Sequence, residues 1–440
     1  MRDTAPLDVQ QVMDQQAFGK YHLRVAALCA ASVLMDGFDA QAIGFVAPSL
    51  AAEWHIARGA LSPILTAGLV GMLVGALVFG PLADRFGRKR ILVLCTLWFG
   101  AFSLLAATAD SAQSMVVLRL ITGFGLGGTL PNAIALTAEY MPRRLRATGV
   151  MVMFTGFPLG AAIGGFAAAS LISRFGWRSV FVVGGLLPCV IAILLLRLPE
   201  SIRFLVLKGG KDRAVAKLLR RVAPDVPVPE DTSFTIRERR EPGFLVKRLF
   251  TEGRARLTLL LWVVFFMNLL DLFFLNSWLP TVLHDEGFAL ERAIVITAMF
   301  QVGGVVASLV LGRFIDHRLV SYRVLAWIYL GASACVFFIG LASVSAALET
   351  TAVFLAGFCV IGAQTGANSL TAESYPTGIR STGSGWALGI GRIGSIVGPV
   401  VGGMLLSSQL EMTRVFWAAA VPPLVAAMAA FMVRLPPKQL

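Results

Sequence analysis

Twelve apolar stretches, each long enough to cross a bilayer, constrain this 440-residue chain more than any other feature. A membrane helix needs about 20 consecutive, mostly apolar residues. Such runs occur at 23–48, 61–82, 91–109, 114–136, 148–172, 178–197, 257–283, 293–313, 323–345, 351–373, 382–407 and 413–434. In hydrocarbon the backbone must satisfy its own polar groups, so these runs read as helices and the fold class as all-α membrane. Composition agrees, with 57% hydrophobic and only 14% charged residues, against roughly 25% charged in soluble domains. The net charge of +13 invites a nucleic-acid reading, but its distribution rejects it. With the N-terminus inside, the external segments hold only five of the 38 Lys and Arg: Arg58, Arg174, Arg178, Arg292 and Arg414. That asymmetry is the positive-inside pattern, a topology signal. It places both termini in the cytoplasm and the chain in a bacterial-type inner membrane.

The chain also repeats itself. Thr137-Ala-Glu139-x-x-Pro142-x-x-x-Arg146-x-Thr148-Gly149 returns 234 residues later as Thr371-Ala-Glu373-x-x-Pro376-x-x-x-Arg380-x-Thr382-Gly383. Asp39 and Pro48 return as Asp271 and Pro280, and Gly80 and Asp84 as Gly312 and Asp316. Two parallel halves place a cavity between them near the bilayer midplane and permit alternating access by rocking. The expected organisation is a six-helix bundle at 1–197, a cytoplasmic linker at 198–256 and a second bundle at 257–440. The linker is the one long polar stretch, with Pro224–Pro229 and the charged run Arg237–Glu241. Residues 1–22 have no apolar core, so no cleavable signal peptide is expected. The five cysteines all lie in apolar runs with no Cys-x-x-Cys pair. They read as packing residues, and no metal or cofactor is expected.

After the second run comes Gly80-Pro-Leu-Ala-Asp84-Arg85-Phe-Gly87-Arg88-Lys89-Arg90. Its glycines permit a tight turn. Asp84 can pair with a neighbouring Arg or a helix N-terminus, a charge lock that breaks when the halves rock. Glu139, Arg146, Glu373 and Arg380, at cytoplasmic helix ends, read as gating partners of Asp84. The loop resembles the signature of the major facilitator superfamily, which implies that superfamily's fold. Arg119-x-x-x-Gly123-x-x-x-Gly127 presents one face to a partner helix. It resembles the fourth-helix motif that this superfamily often links to proton coupling, although Arg119 could also snorkel to the outer interface.

Ionisable residues inside the spans carry the functional reading. Asp36 and Asp39 cost about 2.5–3.5 kcal/mol each to insert. They share a helix face at i and i+3. Two close carboxylates in low dielectric cannot both ionise easily, which makes a reversible proton carrier. Arg392, flanked by Gly389, Gly391 and Gly394, has Pro158 as its repeat counterpart and so answers no repeat-wide structural need. Its guanidinium fork suits a carboxylate. A salt bridge to Asp36, Asp39 or Glu373 is the competing role. Asn268 and Asp271 mirror Asp36 and Asp39, Gln364 and Asn368 share a face, and Phe38, Phe273, Phe274 or Trp386 could offer a stacking face.

The first-helix pattern Met35-Asp36-Gly37-Phe38-Asp39, the signature loop and the Thr-Ala-Glu-Tyr segment together resemble the aromatic acid:proton symporter family. That resemblance implies a symporter taking up protons with a small aromatic carboxylate, such as 4-hydroxybenzoate or protocatechuate; a monomer is expected. A symporter of another organic acid and a proton-coupled drug exporter are the alternatives. The Gly394–Gly403 stretch is similar to the exporters' antiporter motif, but that motif belongs in the fifth helix, where this chain has no Gly-Pro pair. No nucleophile–base or metal constellation suggests an enzyme.

Overall fold

The computed structural model describes residues 7–210, 212–223, 232–235, 246–316, 321–341, 345–376, 379–408 and 410–433, with backbone alone at 311–316, 381 and 412. A short strand β1 (Leu7–Asp8) leads into α1 (Val9–Gln15). The first half follows as α2 (Lys20–Trp54), α3 (Ser62–Phe86), α4 (Arg88–Ala106), α5 (Ala112–Tyr140), the consecutive pair α6 (Arg146–Phe154) and α7 (Gly156–Phe175), and α8 (Arg178–Leu195). The connection contains α9 (Ile202–Leu207), α10 (Asp212–Val222) and β2 (Phe234–Thr235). The second half is α11 (Ala255–Asp285), α12 (Leu290–Asp316), α13 (Tyr322–Ile339), α14 (Ala346–Ser374), α15 (Arg380–Ser407), α16 (Met412–Ala419) and α17 (Val421–Met432). Pro422 and Pro423 open α17. Without N–H groups, prolines suit a first turn and break a continuing helix. Pro224–Pro229, Arg237–Glu241 and the residues His317 and Arg318 after Asp316 lie outside the described residues.

Eleven helical segments among the described residues are long and apolar enough to cross a membrane. The 35-residue α2, which carries Asp36 and Asp39, packs on α5, α7, α8 and α11 and completes a twelve-element bundle. Large apolar side chains such as Leu77, Phe175, Ile193 and Met404 are well exposed on its outside. Such a surface suits lipid and would be a liability in water.

The repeat is geometric as well as sequential. A Cβ on Gly160 of α7 would strike the Leu34 carbonyl of α2, and a Cβ on Gly394 of α15 would strike the Phe266 carbonyl of α11. The two contacts superpose at the sequence offsets of the repeat, 234 on one helix and 232 on the other. Only glycine permits that backbone approach, so the same close crossing is built twice.

Among the described residues, the hydrogen bonds and ion pairs that join the two halves lie at one end. At the face remote from the termini, Arg58 pairs with Asp285 at 2.7 Å. There the Ser62 hydroxyl donates to the Pro399 carbonyl at 3.3 Å, and Gly44 lies against the Asn276 carbonyl. One apolar core spans both halves at this end. At the terminal face each half keeps its own core, and no hydrogen bond or ion pair among the described residues joins the two bundles there. β1 pairs in parallel with β2, tying the N-terminal segment to the connection. The Arg58 and Asp285 side chains are 50% and 15% exposed, so their pair contributes under about 1 kcal/mol. Arg58→Asp is therefore expected to speed labelling of a cysteine placed at Ser62 only a few-fold. Adding Asp285→Arg should return the rate to its starting value.

Candidate functional site

The site is built from the middles of α2, α5, α11, α14 and α15. Asp39 of α2 is wholly buried and is held from two sides. Arg119 of α5 donates to its Oδ2 at 2.9 Å, and Ser103 of α4 donates to Oδ1 at 2.9 Å. Arg119 also donates to the Asp39 carbonyl at 3.0 Å and lies over the Phe181 ring. It is 1% exposed, so it does not snorkel. Gly68 of α3, 3.6 Å from the guanidinium at its missing Cβ, leaves room for it. Asp36 and Asp39 therefore do not form a shared-proton dyad. Asp39 is matched with a cation, and one turn away Asp36 is buried with neither carboxylate oxygen hydrogen-bonded.

Arg392 of α15, in the other half, lies close enough to Asp36 to act on it electrostatically, without a hydrogen bond or ion pair between them. Arg392 makes no side-chain hydrogen bond or ion pair among the described residues. Gly385 and Gly389, on the same side of α15, have nothing within 4 Å of their absent Cβ positions. In the second half the Asn268 amide donates to Gln364, and Gln364 donates to Asn368 at 3.1 Å. Nearby, Gln301 donates to Asn276 at 2.9 Å. Asp271 is 1% exposed with both carboxylate oxygens unpartnered.

Two of the aromatic candidates fall elsewhere. The Phe38 ring is buried in the first half, in space left by Gly164 of α7 and Gly184 of α8. Glycines on two helices make a slot for one ring, and that slot is packing. Trp386 is 43% exposed and stacks on Trp262, with ring centroids 5.8 Å apart. Six residues separate it from Arg392, which puts the two about a third of a turn apart around α15. Neither ring joins the polar set.

The charge network at the terminal face also differs from expectation. Asp84 is 74% exposed and pairs with Arg88 at 3.6 Å, while Arg88 reaches Glu139 at 2.5 Å. Arg146 pairs with Asp14 of α1 and not with Asp84. Glu373 and Arg380 are exposed and make no ion pair among the described residues. Arg85 lies over the Phe86 ring. Gly87, at φ +108°, makes the turn between α3 and α4 and abuts the Glu200 carboxylate. No neighbour restricts Gly80. Glu200 accepts from the Lys89 and Ser201 amides at 2.9 Å each, which caps α4. Its Pro-Glu-Ser context is visible in the sequence, but that role requires the fold. Asp14, Ser103, Arg58 and Asp285 likewise carried no local motif. No cluster of three or more potential metal ligands occurs among the described residues.

Two pseudo-equivalent helical bundles, closed at one face and enclosing unpaired ionisable groups at mid-membrane depth, define a multi-pass membrane transporter. The profile of the Major Facilitator Superfamily matches residues 29–397, and the chain belongs to that family. It is accordingly a transporter and not an enzyme. It is 43% identical to the 4-hydroxybenzoate transporter PcaK of Pseudomonas putida, over 96% of this chain and 94% of that protein. It is 40% identical to a gallate transporter of the same organism, over 97% and 94%. In structure it resembles the xylose transporter XylE of E. coli in a partially occluded inward-open conformation. That likeness has a TM-score of 0.73 at 16% identity and covers 96% of this chain and all of that one.

Proposed function

We propose that this protein is a proton-coupled symporter that carries a small aromatic carboxylate of the benzoate type across a bacterial-type inner membrane. The observation that carries the reading is the pairing in space of an unpartnered buried carboxyl, Asp36, with an unpartnered guanidinium, Arg392, across the two halves. The names of the relatives supply the substrate class. Positive-inside charge puts the termini in the cytoplasm, so the conformation described above is open inward. Residues 1–197 and 257–440 move as the two rocking bodies around the linker 198–256. Asp84, Arg88 and Glu139 form the internal lock, and Glu373 and Arg380 join them when that face closes.

The coupling follows from competition for Arg392. Protonated Asp36 leaves the guanidinium free to grip a carboxylate with its fork. Once the site opens inward and Asp36 loses its proton, the new anion competes for Arg392 and displaces the substrate. Asn268, Gln364 and Asn368 offer donors and acceptors to ring hydroxyls. Asp39 and Arg119, bonded to each other, hold α2 against α5. An inside-negative potential opposes anion entry by about 2.3 kcal/mol per charge at 100 mV, and proton entry offsets it.

Vesicles containing the wild-type protein should accumulate labelled 4-hydroxybenzoate under an inward proton gradient, and a protonophore should abolish this. Asp36→Asn is expected to end uphill accumulation and to weaken the pH dependence of 4-hydroxybenzoate binding. Uphill uptake that survives the substitution would rule out Asp36 as the coupling group.

A further inference from the structure

The repeat supplies an internal control at one buried position. Asp39 and Asp271 are counterparts 232 residues apart, and the helix crossings around them keep the same register. Gly71 of α3 packs on the Leu120 carbonyl of α5, and Gly303 of α12 packs on the Phe354 carbonyl of α14. That register places Val353, wholly buried, where the first half has Arg119. The same carboxylate thus meets opposite surroundings. Asp39 receives a guanidinium and a hydroxyl. Asp271 receives neither, although it is equally inaccessible. Among the described residues, no ionisable side chain on the helices around it, Asp36 and Asp39 of α2, Glu349 of α14 and Arg392 of α15 included, provides it with a partner.

We propose that Asp271 is a second proton-binding site of the transport cycle, so that two protons accompany each carboxylate. The proposal rests on the symport reading above. An ionised carboxylate without hydrogen bonds is too costly at this depth, so Asp271 carries its proton on a carboxyl oxygen in this conformation. A polar chain reaches to within one helical turn of it. Gln364 and Asn368 are part-exposed, Gln364 bonds to Asn268, and Asn268 lies one turn from Asp271 on α11.

Charge counting leads to the same stoichiometry. Asp36, Asp39 and Asp271 against Arg119 and Arg392 leave one net negative charge when all are ionised. Two protons convert this to one net positive charge, the complement of a single monocarboxylate, and the loaded midplane becomes neutral. The protons bind from outside, leave inside, and carry one net positive charge inward per turnover.

Purified protein in vesicles, with equal pH on both sides and a potassium diffusion potential, tests this with labelled 4-hydroxybenzoate. One net charge multiplies the accumulation ratio roughly 50-fold at 100 mV. Wild-type protein is expected to accumulate substrate in response to an inside-negative potential. Asp271→Asn, left with one proton, is expected to lose that response and still to accumulate under a pH gradient. Wild-type uptake indifferent to potential overturns the proposal, as does an unchanged response in Asp271→Asn. If that variant fails to reconstitute, Val353→Arg gives Asp271 the partner that Asp39 has. It should abolish the response to potential in the same way, and a retained response overturns the proposal. No wild-type flux under either gradient would refute the symport reading itself, a result distinct from flux that ignores potential.

Discussion

Arg119→Leu is expected to destabilise the protein by about 3–5 kcal/mol, because it strands the wholly buried Asp39 carboxylate. Asp39→Leu should cost a similar amount by stranding the guanidinium. The two changes together should recover most of the loss, since an ion pair replaced by apolar side chains removes both desolvation costs at once. Melting of detergent-solubilised single and double variants measures this directly. Additive losses would show that Arg119 and Asp39 are not one unit, contrary to the 2.9 Å contact between them. The double variant should fold without transporting, because the Asp39 carbonyl and the Ser103 hydroxyl both lose a partner at the centre of α2.

The second large effect is at Arg392. Arg392→Ala is expected to weaken 4-hydroxybenzoate binding by about 2–5 kcal/mol, or roughly 30- to 5000-fold. Arg392→Lys should recover only part of this, since an ammonium keeps the charge but lacks the planar fork. The substitution should leave folding nearly intact, because no side chain among the described residues depends on the guanidinium. Titration calorimetry on purified protein distinguishes the two variants. A dissociation constant unchanged in Arg392→Ala would remove Arg392 from the site.

Fold and site were legible to different depths. Twelve apolar runs, one-sided basic charge and the Thr-Ala-Glu repeat are local patterns whose physical meaning needs no tertiary information. The positions of Asp36, Asp39, Arg119, Asp271 and Arg392 inside the spans came from the same counting. Their pairing did not. Arg119 is 80 residues from Asp39, and only the rotation of α5 about its axis directs it inward and not toward the headgroups. The i, i+3 spacing of Asp36 and Asp39 suggested a dyad, yet that angular step is enough for α4 and α5 to claim one carboxyl and leave the other without a hydrogen bond. Phe38 sits between the two aspartates in sequence and still points into its own half, because Gly164 and Gly184 open a slot there. The partner of Arg146 was hidden for a different reason. Asp14 belongs to a polar N-terminal segment with no membrane signal of its own.

The closure between the halves is unlike the groups that wait at the opposite end. Where the bundles meet, helix backbones approach each other, as Gly44 does the Asn276 carbonyl, and a shared apolar core lies beside the Arg58–Asp285 pair. At the mouth, Asp84, Arg85, Glu373 and Arg380 are hydrated charges, and dissolved ions weaken the attractions of such charges within about 10 Å at ordinary ionic strength. The two shut states would thus be made of different materials, one of packed contacts indifferent to electrolyte and one of screened ionic contacts. Raising salt on the cytoplasmic side should bias such a carrier toward its inward-open form, so the ionic content of the cell would itself influence how long the vestibule stays open after each delivery.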